Sequence, residues 1–588
     1  MKTFIFSLLI IFNCFCSGTA QNKFESVKHE KVYLHTDKNI YIAGENLFFT
    51  LYLKGSSIQM SKYAYLVLRD RYSLTVSRVK MEIKNQTAFG NIFLPDTLHS
   101  DIYQLVCYTN WMRNEGEDSY FTKEIIIANR FDKKLERFDS TLYTYPSATS
   151  ATKYSVNPAG NENLVIHLDK QIFNTREKVT FYIDAKDAPE DSITRLSVSV
   201  SEIVPGIQNE LSISDYFRNT SKTIEAGEYR KNQNKYQSEV KGTMIDGRII
   251  PVQQIDNQPV FSKGDNETDT IGYTVLVSTP DSIANMQYTT GDSSGSFRFL
   301  LNPYYEGKEL IIRLKENART VIDLDDKFKL FQPYVPSDLL NKPGIRSYLI
   351  RNLNLSEVKR YYTERAETNT RKKIENSIAI PRVYYRPISK VYPADYLPLP
   401  DFIEISRELL PALKVRKIND NYVLSYIDTQ DKGFPSIEPI IFLDGVPIND
   451  VNQIINLGTN QIKQIDLLPV IRYYGEMTLS GILAVFTKNL EINNIQFTTP
   501  TIRYQVISSQ NFTKPKQYIP VNINNHIPDV RQVLLWDPEI KMHNKEKLQI
   551  ECYTSDLRGK YRICIQGITS NGLPVNGSAI ITVKSKSD

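Results

Sequence analysis

The side chains that most often catalyse reactions or bind metals are sparse and scattered in this sequence. Its six histidines stand at positions 29, 35, 99, 167, 526 and 543. None lies at a spacing such as H-x-x-x-H, which would place two ligands on one helix face. His543 and Glu546 are three residues apart, but they form an isolated pair in a lysine-rich stretch. We therefore predict no metal site.

A G-x-S-x-G string, Gly291 to Gly295, has the residue types of a hydrolase nucleophile. That chemistry needs a strand before the serine and a helix after it, whereas an alternating strand pattern, Phe297 to Leu300, follows here. The string contains one carboxylate, Asp292, and a calcium loop needs several oxygen ligands. We interpret it as a hairpin turn, and we expect a protein that is not an enzyme and has no cofactor.

Charge, composition and length indicate a large β-rich protein. The net charge is +5 over 588 residues without a long Lys/Arg block, which does not point to nucleic acid. Aromatic residues make up 11% of the chain, a composition that favours strands. At roughly 100–150 residues per domain, the length predicts about four to six domains.

The first twenty residues have the pattern of a secretory signal. Lys2 precedes an apolar run, Phe4 to Phe12, and the small residues Ser17 to Ala20 follow. The run is shorter than the roughly 20 residues of a membrane span. We expect cleavage after Ala20 and a periplasmic or outer-membrane location in a Gram-negative envelope. Lipid modification at Cys14 or Cys16 is the open alternative.

Three cysteines remain after such cleavage, and they do not make a disulfide scaffold: Cys107, Cys552 and Cys564. Cys552 and Cys564 flank a predicted hairpin. Strand alternation places them on opposite faces, which argues against a disulfide unless a bulge intervenes, and the question stays open at this point.

An internal repeat shows which elements position the remaining polar residues. Residues 33–45 (YLHTDKNIYIAGE) recur as residues 165–177 (VIHLDKQIFNTRE), and a strand-like run follows each copy. Two copies predict two tandem sandwiches. We interpret the motif as structural, with Asp accepting backbone N–H groups in a turn and Lys pairing with Glu across the corner. Its members are His35, Asp37, Lys38 and Glu45, and His167, Asp169, Lys170 and Glu177.

The predicted fold is mainly β, with tandem β-sandwich domains of immunoglobulin-like type and one small mixed α/β domain. A capping-box pattern at Asn354 and Glu357 predicts a helix start, and Phe402 to Leu413 reads as an amphipathic helix. The predicted segments are a signal peptide (1–20), sandwiches (21–130, 150–235 and 236–330), a linker with a helix (331–395), the α/β domain (396–492) and a final sandwich (495–588).

The repeat, as H-T-D-K-x-I-Y-x-A-G-E at 35–45, resembles the macroglobulin-type sandwich of alpha-2-macroglobulin relatives. Residues 535–538, 553–556 and 559–561 in the closing region resemble later domains of that type. The resemblance implies a β-sandwich fold and, as one possibility, protease binding. It does not extend to covalent trapping, because no cysteine here begins a Cys-Gly-Glu-Gln thioester.

Two further regions resemble known domains. Residues 236–330 are similar to carboxypeptidase regulatory-like sandwiches. Residues 439–488, with PIIFLDGVP, QIKQIDLL and YYGE…GILAVFTK, resemble the plug domain of TonB-dependent outer-membrane receptors. The barrel of about twenty strands that follows such a plug is not expected in the roughly 100 residues after Lys488. The plug-like motif residues are Asp444, Gly445, Pro447, Tyr474, Gly475 and Gly481.

These resemblances imply an exported envelope protein that binds or scaffolds. We expect a partner that is an outer-membrane or other envelope protein, no nucleic acid, and no transmembrane span of the chain's own. The leading hypothesis is docking on an outer-membrane protein through the plug-like domain. The alternatives are a thioester-less protease-binding protein with a bait region at 222–240, and an accessory subunit of TonB-linked uptake.

Overall fold

The computed structural model describes residues 29–55, 60–132, 163–185, 193–207, 211–219, 235–255, 258–261, 272–342, 344–362, 379–419, 421–426, 438–510, 512–518, 526–543 and 546–585. Over these ranges the protein is mainly β, in sheets that pack face to face, with one mixed α/β domain. The predicted signal peptide, residues 1–20, lies outside them. Within the described part, no helix combines the length and apolar character needed to cross a bilayer.

The first sandwich consists of two facing sheets within the predicted segment 21–130. Its strands are β1 (Glu30–Thr36), β2 (Ile40–Ile42), β3 (Asn46–Gly55), β4 (Tyr63–Arg69), β5 (Thr75–Glu82), β6 (Thr87–Phe93), β7 (Asp101–Thr109) and β8 (Phe121–Ala128). One sheet has the order β1-β3-β6 and the other β2-β8-β7-β4-β5. Buried apolar side chains such as Phe49, Leu66 and Val106 form the core.

The second sandwich is assembled from two distant parts of the chain. Its strands are β9 (Leu164–Leu168), β10 (Ile172–Asn174), β11 (Lys178–Ala185), β12 (Ile193–Glu202), β30 (Val533–His543), β31 (Leu548–Tyr553), β32 (Gly559–Thr569) and β33 (Pro574–Lys584). The sheets have the orders β10-β33-β32-β12-β30 and β31-β11-β9. The separate sandwiches predicted at 150–235 and 495–588 are therefore wrong, because each segment supplies half of one core.

The first two sandwiches have the same topology. When β9–β12 and β30–β33 are matched in order to β1–β8, both sheet orders coincide. The repeat at 33–45 and 165–177 therefore marks equivalent strands. In the first sandwich the fourth and fifth strands are joined by the short turn 70–74. In the second, residues 203–532 occupy that position, so the rest of the molecule is an insertion into one strand connection.

The third sandwich lies within this insertion and is itself interrupted. Its strands are β13 (Met244–Ile255), β14 (Gln258–Phe261), β15 (Thr274–Ser278), β16 (Gln287–Thr290), β17 (Ser296–Leu300), β18 (Glu309–Leu314), β19 (Thr320–Leu324) and β29 (Thr501–Gln505). The sheets are β14-β13-β17, with β19 also on β13, and β16-β15-β18-β29. The predicted boundary at 330 omits β29, which covers the edge of β18.

The mixed α/β domain predicted at 396–492, which keeps the name plug-like domain from its sequence resemblance alone, is inserted between β19 and β29. Its elements are β20 (Ser389–Val391), β21 (Leu413–Ile418), β22 (Asn421–Tyr426), β23 (Ile440–Leu443), β24 (Val446–Ile448), β25 (Ile462–Leu468), β26 (Arg472–Tyr474), β27 (Met477–Leu479) and β28 (Ile482–Thr487). The main sheet has the mixed order β20-β25-β28-β23-β24. It therefore begins before the predicted boundary at 396, because β20 pairs with β25.

In the part of the chain that the structure describes, four α-helices pack around these sheets: α1 (Ile213–Asn219), α2 (Ile345–Tyr362), α3 (Phe402–Leu409) and α4 (Asn452–Ile455). The helix start predicted at Asn354 is wrong, because α2 begins at Ile345 and packs its first turns on the first sandwich. Helix α3 ends earlier than predicted, since Leu413 already begins β21. Its first turn is capped by Asp401, which accepts the Glu404 N–H at 2.8 Å.

Candidate binding interface

The first copy of the repeat forms a tight corner between β1 and β3. Asp37 is buried, and its Oδ1 accepts the Tyr41 hydroxyl at 2.7 Å and the Phe48 N–H at 3.1 Å. Burial raises the pKa of Asp37 to about 6, against the opposing effect of Lys38. Lys38 Nζ lies 2.7 Å from Glu45 Oε2, and this ion pair closes the corner.

The second copy makes the same corner in a different environment. Lys170 contacts Glu177, whose carboxylate also accepts the Asn174 N–H at 2.6 Å. His167 and Asp169 are exposed, whereas His35 and Asp37 are almost fully buried. The shared sequence therefore encodes a common backbone corner, and only the first copy takes part in an interdomain contact.

His35 lies in the contact between the first and second sandwiches. Its Nδ1 is 2.6 Å from Ser197 Oγ, and Ser199 Oγ is 3.3 Å from its Nε2. The ring meets Trp536 edge-on at a centroid distance of 5.1 Å, and the Tyr52 hydroxyl lies 2.8 Å from Ser197 Oγ. We call this group the His35 contact.

A histidine beside a serine is the arrangement of a base and a nucleophile, but here both side chains are buried. Burial lowers the pKa of His35 to about 3, and Lys123 acts in the same direction. The imidazole is therefore neutral at neutral pH. With Ser197 fully buried, the pair is enclosed between two domains and connects their sheets.

The third sandwich is held to the first by buried charges. Glu239 is fully buried; its Oε1 accepts from Lys327 Nζ at 2.8 Å and its Oε2 from the Tyr65 hydroxyl at 2.5 Å. We call this group the Glu239 contact. Arg113 of the first sandwich binds Asp325 in bidentate fashion, which raises the pKa of the guanidinium despite its burial. In the sequence, Asp325 lies in a polar segment. Its ion pair could not be predicted, because its partner Arg113 is 212 residues away.

The plug-like motif is used inside the molecule. Asp444 is buried, and its Oδ1 accepts the Thr487 N–H at 2.6 Å while its Oδ2 accepts the Ile492 N–H at 3.2 Å. Gly445 has φ +85°, and a Cβ there would lie 2.6 Å from the carbonyl oxygen of Ile283 in the third sandwich. The turn therefore both closes the plug-like domain and packs against its neighbour.

The other motif residues serve the same two purposes. Pro447 is buried opposite Phe442 in the β23–β24 hairpin. The Tyr474 hydroxyl donates to the Met286 carbonyl of the third sandwich. Gly475 lies against a tyrosine of the third sandwich, and Gly481 against one of β22. The motif thus marks an intramolecular interface.

The β20 edge of the plug-like domain carries large exposed apolar side chains, and it adjoins the contact with the third sandwich, where the Val383 N–H donates to the Ala284 carbonyl at 3.1 Å. Strand β20 is the outermost strand of its sheet. Antiparallel pairing of Ser389 with Leu467 places the residues before β20 beside those after β25. We call this surface the outer edge. At the end of β20 nearest β26 its exposed fractions are 85% at Tyr385, 60% at Ile388, 53% at Ile471 and 79% at Tyr473, and at the other end they are 54% at Tyr396 and 83% at Leu397.

Within the described residues, the side chains that the sequence offers for catalysis or metal binding do not lie together. In the described ranges, no group of three or more His, Cys, Asp or Glu side chains could hold a metal ion. The Gly291 to Gly295 string is a turn whose Asp292 accepts the Ser294 and Ser296 N–H groups. It joins β16 to β17, which lie in different sheets, so it is not a hairpin turn.

Among the described residues, Cys107, Cys552 and Cys564 form no disulfide. Cys552 lies on β31 and Cys564 on β32, in the two different sheets of the second sandwich. The hairpin predicted between them is therefore wrong, because β31 pairs with β11 and β32 with β12 and β33. Cys14 and Cys16, the lipidation alternatives, lie outside the described residues.

The bait predicted at 222–240 is described only from Lys235. The Arg113 guanidinium lies 3.9 Å from the Tyr236 ring centroid, and Glu239 is buried. A cleft of about 260 Å³ adjoins them, lined by Arg113, Tyr120, Tyr236 and Phe331 among others. This volume is below the roughly 300–1,000 Å³ of typical ligand pockets. Because Tyr236 contacts Arg113 and Glu239 is buried, the C-terminal end of the predicted bait is anchored to the folded domains.

The fold and these contacts define a multidomain β-sandwich protein with an inserted α/β domain. No family model and no curated protein matches the chain. Solved structures of bacterial alpha-2-macroglobulins are similar to it. The methylamine-reacted Salmonella protein is 10% identical with a TM-score of 0.23, covering 95% of this chain and 39% of that one. The elastase-activated Escherichia coli protein is 8% identical with a TM-score of 0.24, covering 95% and 44%.

The chain thus spans about two fifths of the length of these macroglobulins. A Listeria innocua beta-glucosidase is also similar over 17% of this chain, at 11% identity and a TM-score of 0.14. At such identities and scores the likeness does not bear on what this chain binds.

Proposed function

We propose that this chain is a non-enzymatic protein of the Gram-negative envelope that binds or scaffolds an outer-membrane partner through its plug-like domain. The observation that carries the proposal is the outer edge, where Tyr385, Leu397 and Tyr473 remain largely exposed. Clusters of exposed apolar side chains on a folded protein usually mark an interaction site.

The remaining domains are suited to hold that edge in a fixed orientation. The His35 contact joins the first and second sandwiches, and the Glu239 contact joins the first and third. Fully satisfied buried polar groups favour one arrangement of the parts they connect. Because each inserted domain is also tied to its host by two chain crossings, we expect a stiff support.

The motif that suggested a receptor plug does not itself offer a docking surface. Asp444, Gly445 and Tyr474 face the interior or the third sandwich. A partner must therefore bind elsewhere on the plug-like domain, and the outer edge lies at the far end of its sheet from β24.

Affinity capture from an envelope fraction tests this proposal. We expect the tagged protein to recover a specific outer-membrane protein, and the variant Y385S/L397S/Y473S to lose it. The matched control Y72S/L74S removes two equally exposed apolar side chains from the first sandwich and should retain the partner. Recovery of no membrane protein, or equal recovery by both variants, would overturn the proposal.

Protease binding is the second candidate. The anchored end of the predicted bait restricts where a protease could cut it. Because Tyr236 and Glu239 are held by the first and third sandwiches, the cut must fall before Lys235. The role requires compaction after such a cut. Trypsin treatment followed by small-angle scattering tests it, and an unchanged radius of gyration after complete cleavage would eliminate it.

Participation in TonB-linked uptake is a narrower form of the first proposal, with the plug-like domain acting on a separate receptor. Deletion of the gene should then abolish uptake of one nutrient. If uptake of all tested nutrients is unchanged, the role in transport is excluded and scaffolding alone remains.

A further inference from the structure

We infer that the outer edge of the plug-like domain seats on the surface of an anionic lipid bilayer. This inference rests on the proposed function and deepens it, because it adds the lipid around the outer-membrane partner to what the exposed edge contacts.

At one end of β20 the apolar part of the outer edge is contributed by two adjoining segments, and at the other end by Tyr396 and Leu397. The Ile388 N–H donates to the Leu467 carbonyl at 3.0 Å, so the chain before β20 runs beside the chain after β25. Tyr385 and Ile471 therefore lie at the same end of the sheet, and Tyr473 follows in the next strand. The side chains are mainly tyrosines, whose apolar ring and polar hydroxyl suit the boundary between acyl chains and headgroups.

Cations accompany these rings. Arg386, Lys390 and Arg472 are all exposed, and Lys390 Nζ lies 6.0 Å from the centroid of the Tyr392 ring. Over residues 379–400 and 469–479 there are four cations and two carboxylates. They are Arg382, Arg386, Lys390 and Arg472, against Asp395 and Glu476. Cations close to an anionic leaflet contribute about 1 kcal/mol each, or about fivefold in affinity.

The alternative occupant of a sheet edge is a strand from another protein. Strand β20 is poorly suited to it, because it has three residues and is bracketed by Pro387 and Pro393. Proline has no N–H to donate, so an added strand would find a short and interrupted ladder. Exposed lysine at Lys390 also discourages strand addition. A lipid surface does not require backbone hydrogen bonds from β20. An anionic one also matches both the tyrosine rings and the cations of the outer edge.

Vesicle co-sedimentation of the purified protein provides the test. We expect binding to vesicles of phosphatidylcholine mixed with phosphatidylglycerol, little binding to phosphatidylcholine alone, and weaker binding as salt is raised. The variant R386Q/K390Q/R472Q should lose roughly a hundredfold in affinity, from three cations at about fivefold each. The matched control K414Q/R416Q/K417Q removes the same charge from exposed positions of β21 and should bind like the native protein.

The variant Y385S/L397S/Y473S separates insertion from simple charge attraction. We expect it to lose at least about tenfold in affinity even at low salt, because the rings no longer bury apolar area. Equal thermal unfolding of all variants would show that the fold is intact.

The outcomes distinguish this inference from the proposed function. No preference for phosphatidylglycerol, or equal loss in the edge and β21 variants, overturns the lipid inference. If the edge variants lose a captured outer-membrane protein while the native protein ignores vesicles, the edge is a protein-docking surface and the lipid inference is wrong, although the proposed function stands. If vesicles bind as expected and no membrane protein is captured, the partner proposal fails instead.

Discussion

Lowering the pH from 7 to 5 should weaken the contact between the first and second sandwiches through His35. Burial lowers the pKa of His35 to about 3, whereas an unfolded histidine titrates near 6.5. The unfolded chain therefore binds the proton more readily between these values. Stability from the neutral imidazole is fully present above about pH 6.5 and is lost as the pH falls toward 3.

The expected magnitude at pH 5 follows from the ordinary histidine pKa. At pH 5 the pH lies about 1.5 units below 6.5. At about 1.36 kcal/mol per unit, the free energy of unfolding decreases by about 2 kcal/mol. Asp37 acts in the opposite sense, because burial raises its pKa to about 6. The free energy of unfolding therefore increases, as far as Asp37 is concerned, when the pH falls through that value. The native protein alone would therefore show only the difference between the two effects.

A variant comparison isolates the histidine. Unfolding in urea is followed by the fluorescence of Trp536, whose ring is 5.1 Å from that of His35, in a Trp111→Phe background that removes the other tryptophan. The stability difference between this protein and its His35→Gln variant should shrink by about 2 kcal/mol between pH 7 and pH 5. The exposed His167→Gln variant is the control. An identical pH dependence with and without His35 would refute the reasoning.

Three further outcomes are expected. Glu239→Gln should destabilise the protein by about 3–5 kcal/mol in urea unfolding, because the buried Lys327 loses its nearest partner, whereas Glu551→Gln at an exposed pair should have a much smaller effect; similar losses of stability would contradict this. Gly445→Ala should lower the melting temperature more than Gly116→Ala, since both have positive φ but only the first Cβ meets a carbonyl; equal shifts would show that crowding is unimportant. Cleavage within 220–234 should leave two fragments that co-elute in native gel filtration and separate in denaturant, because strands from both sides of the cut pair in the second sandwich; separation without denaturant would contradict the topology.

Local features of the fold could be predicted from the sequence because local rules determine them. The repeat around Asp37 and Lys38 gave the corner between two strands, and the plug-like motif located the Asp444 turn. Both depend on hydrogen bonds within about a dozen residues or on a turn's backbone conformation.

The way the domains are joined could not be predicted in the same way. A strand pattern shows that a sheet exists but not which strands share it, so β12 and β30 read as members of separate sandwiches. The Glu239 contact was equally hidden, because Lys327 and Tyr65 are far from it in sequence. The outer edge was missed because exposed tyrosines and buried ones look alike in a sequence.

The split second sandwich also constrains how the protein is made. Strand β12 ends at Glu202 and β30 begins at Val533, so during synthesis 330 residues, 203–532, separate the first half of this sandwich from its partner strands. Until those strands are made, β12 offers open backbone on both sides and half a core to the solvent. Chaperones that shield unpaired strands should therefore govern its yield, and the second sandwich, which closes last, encloses the third sandwich and the plug-like domain in the chain.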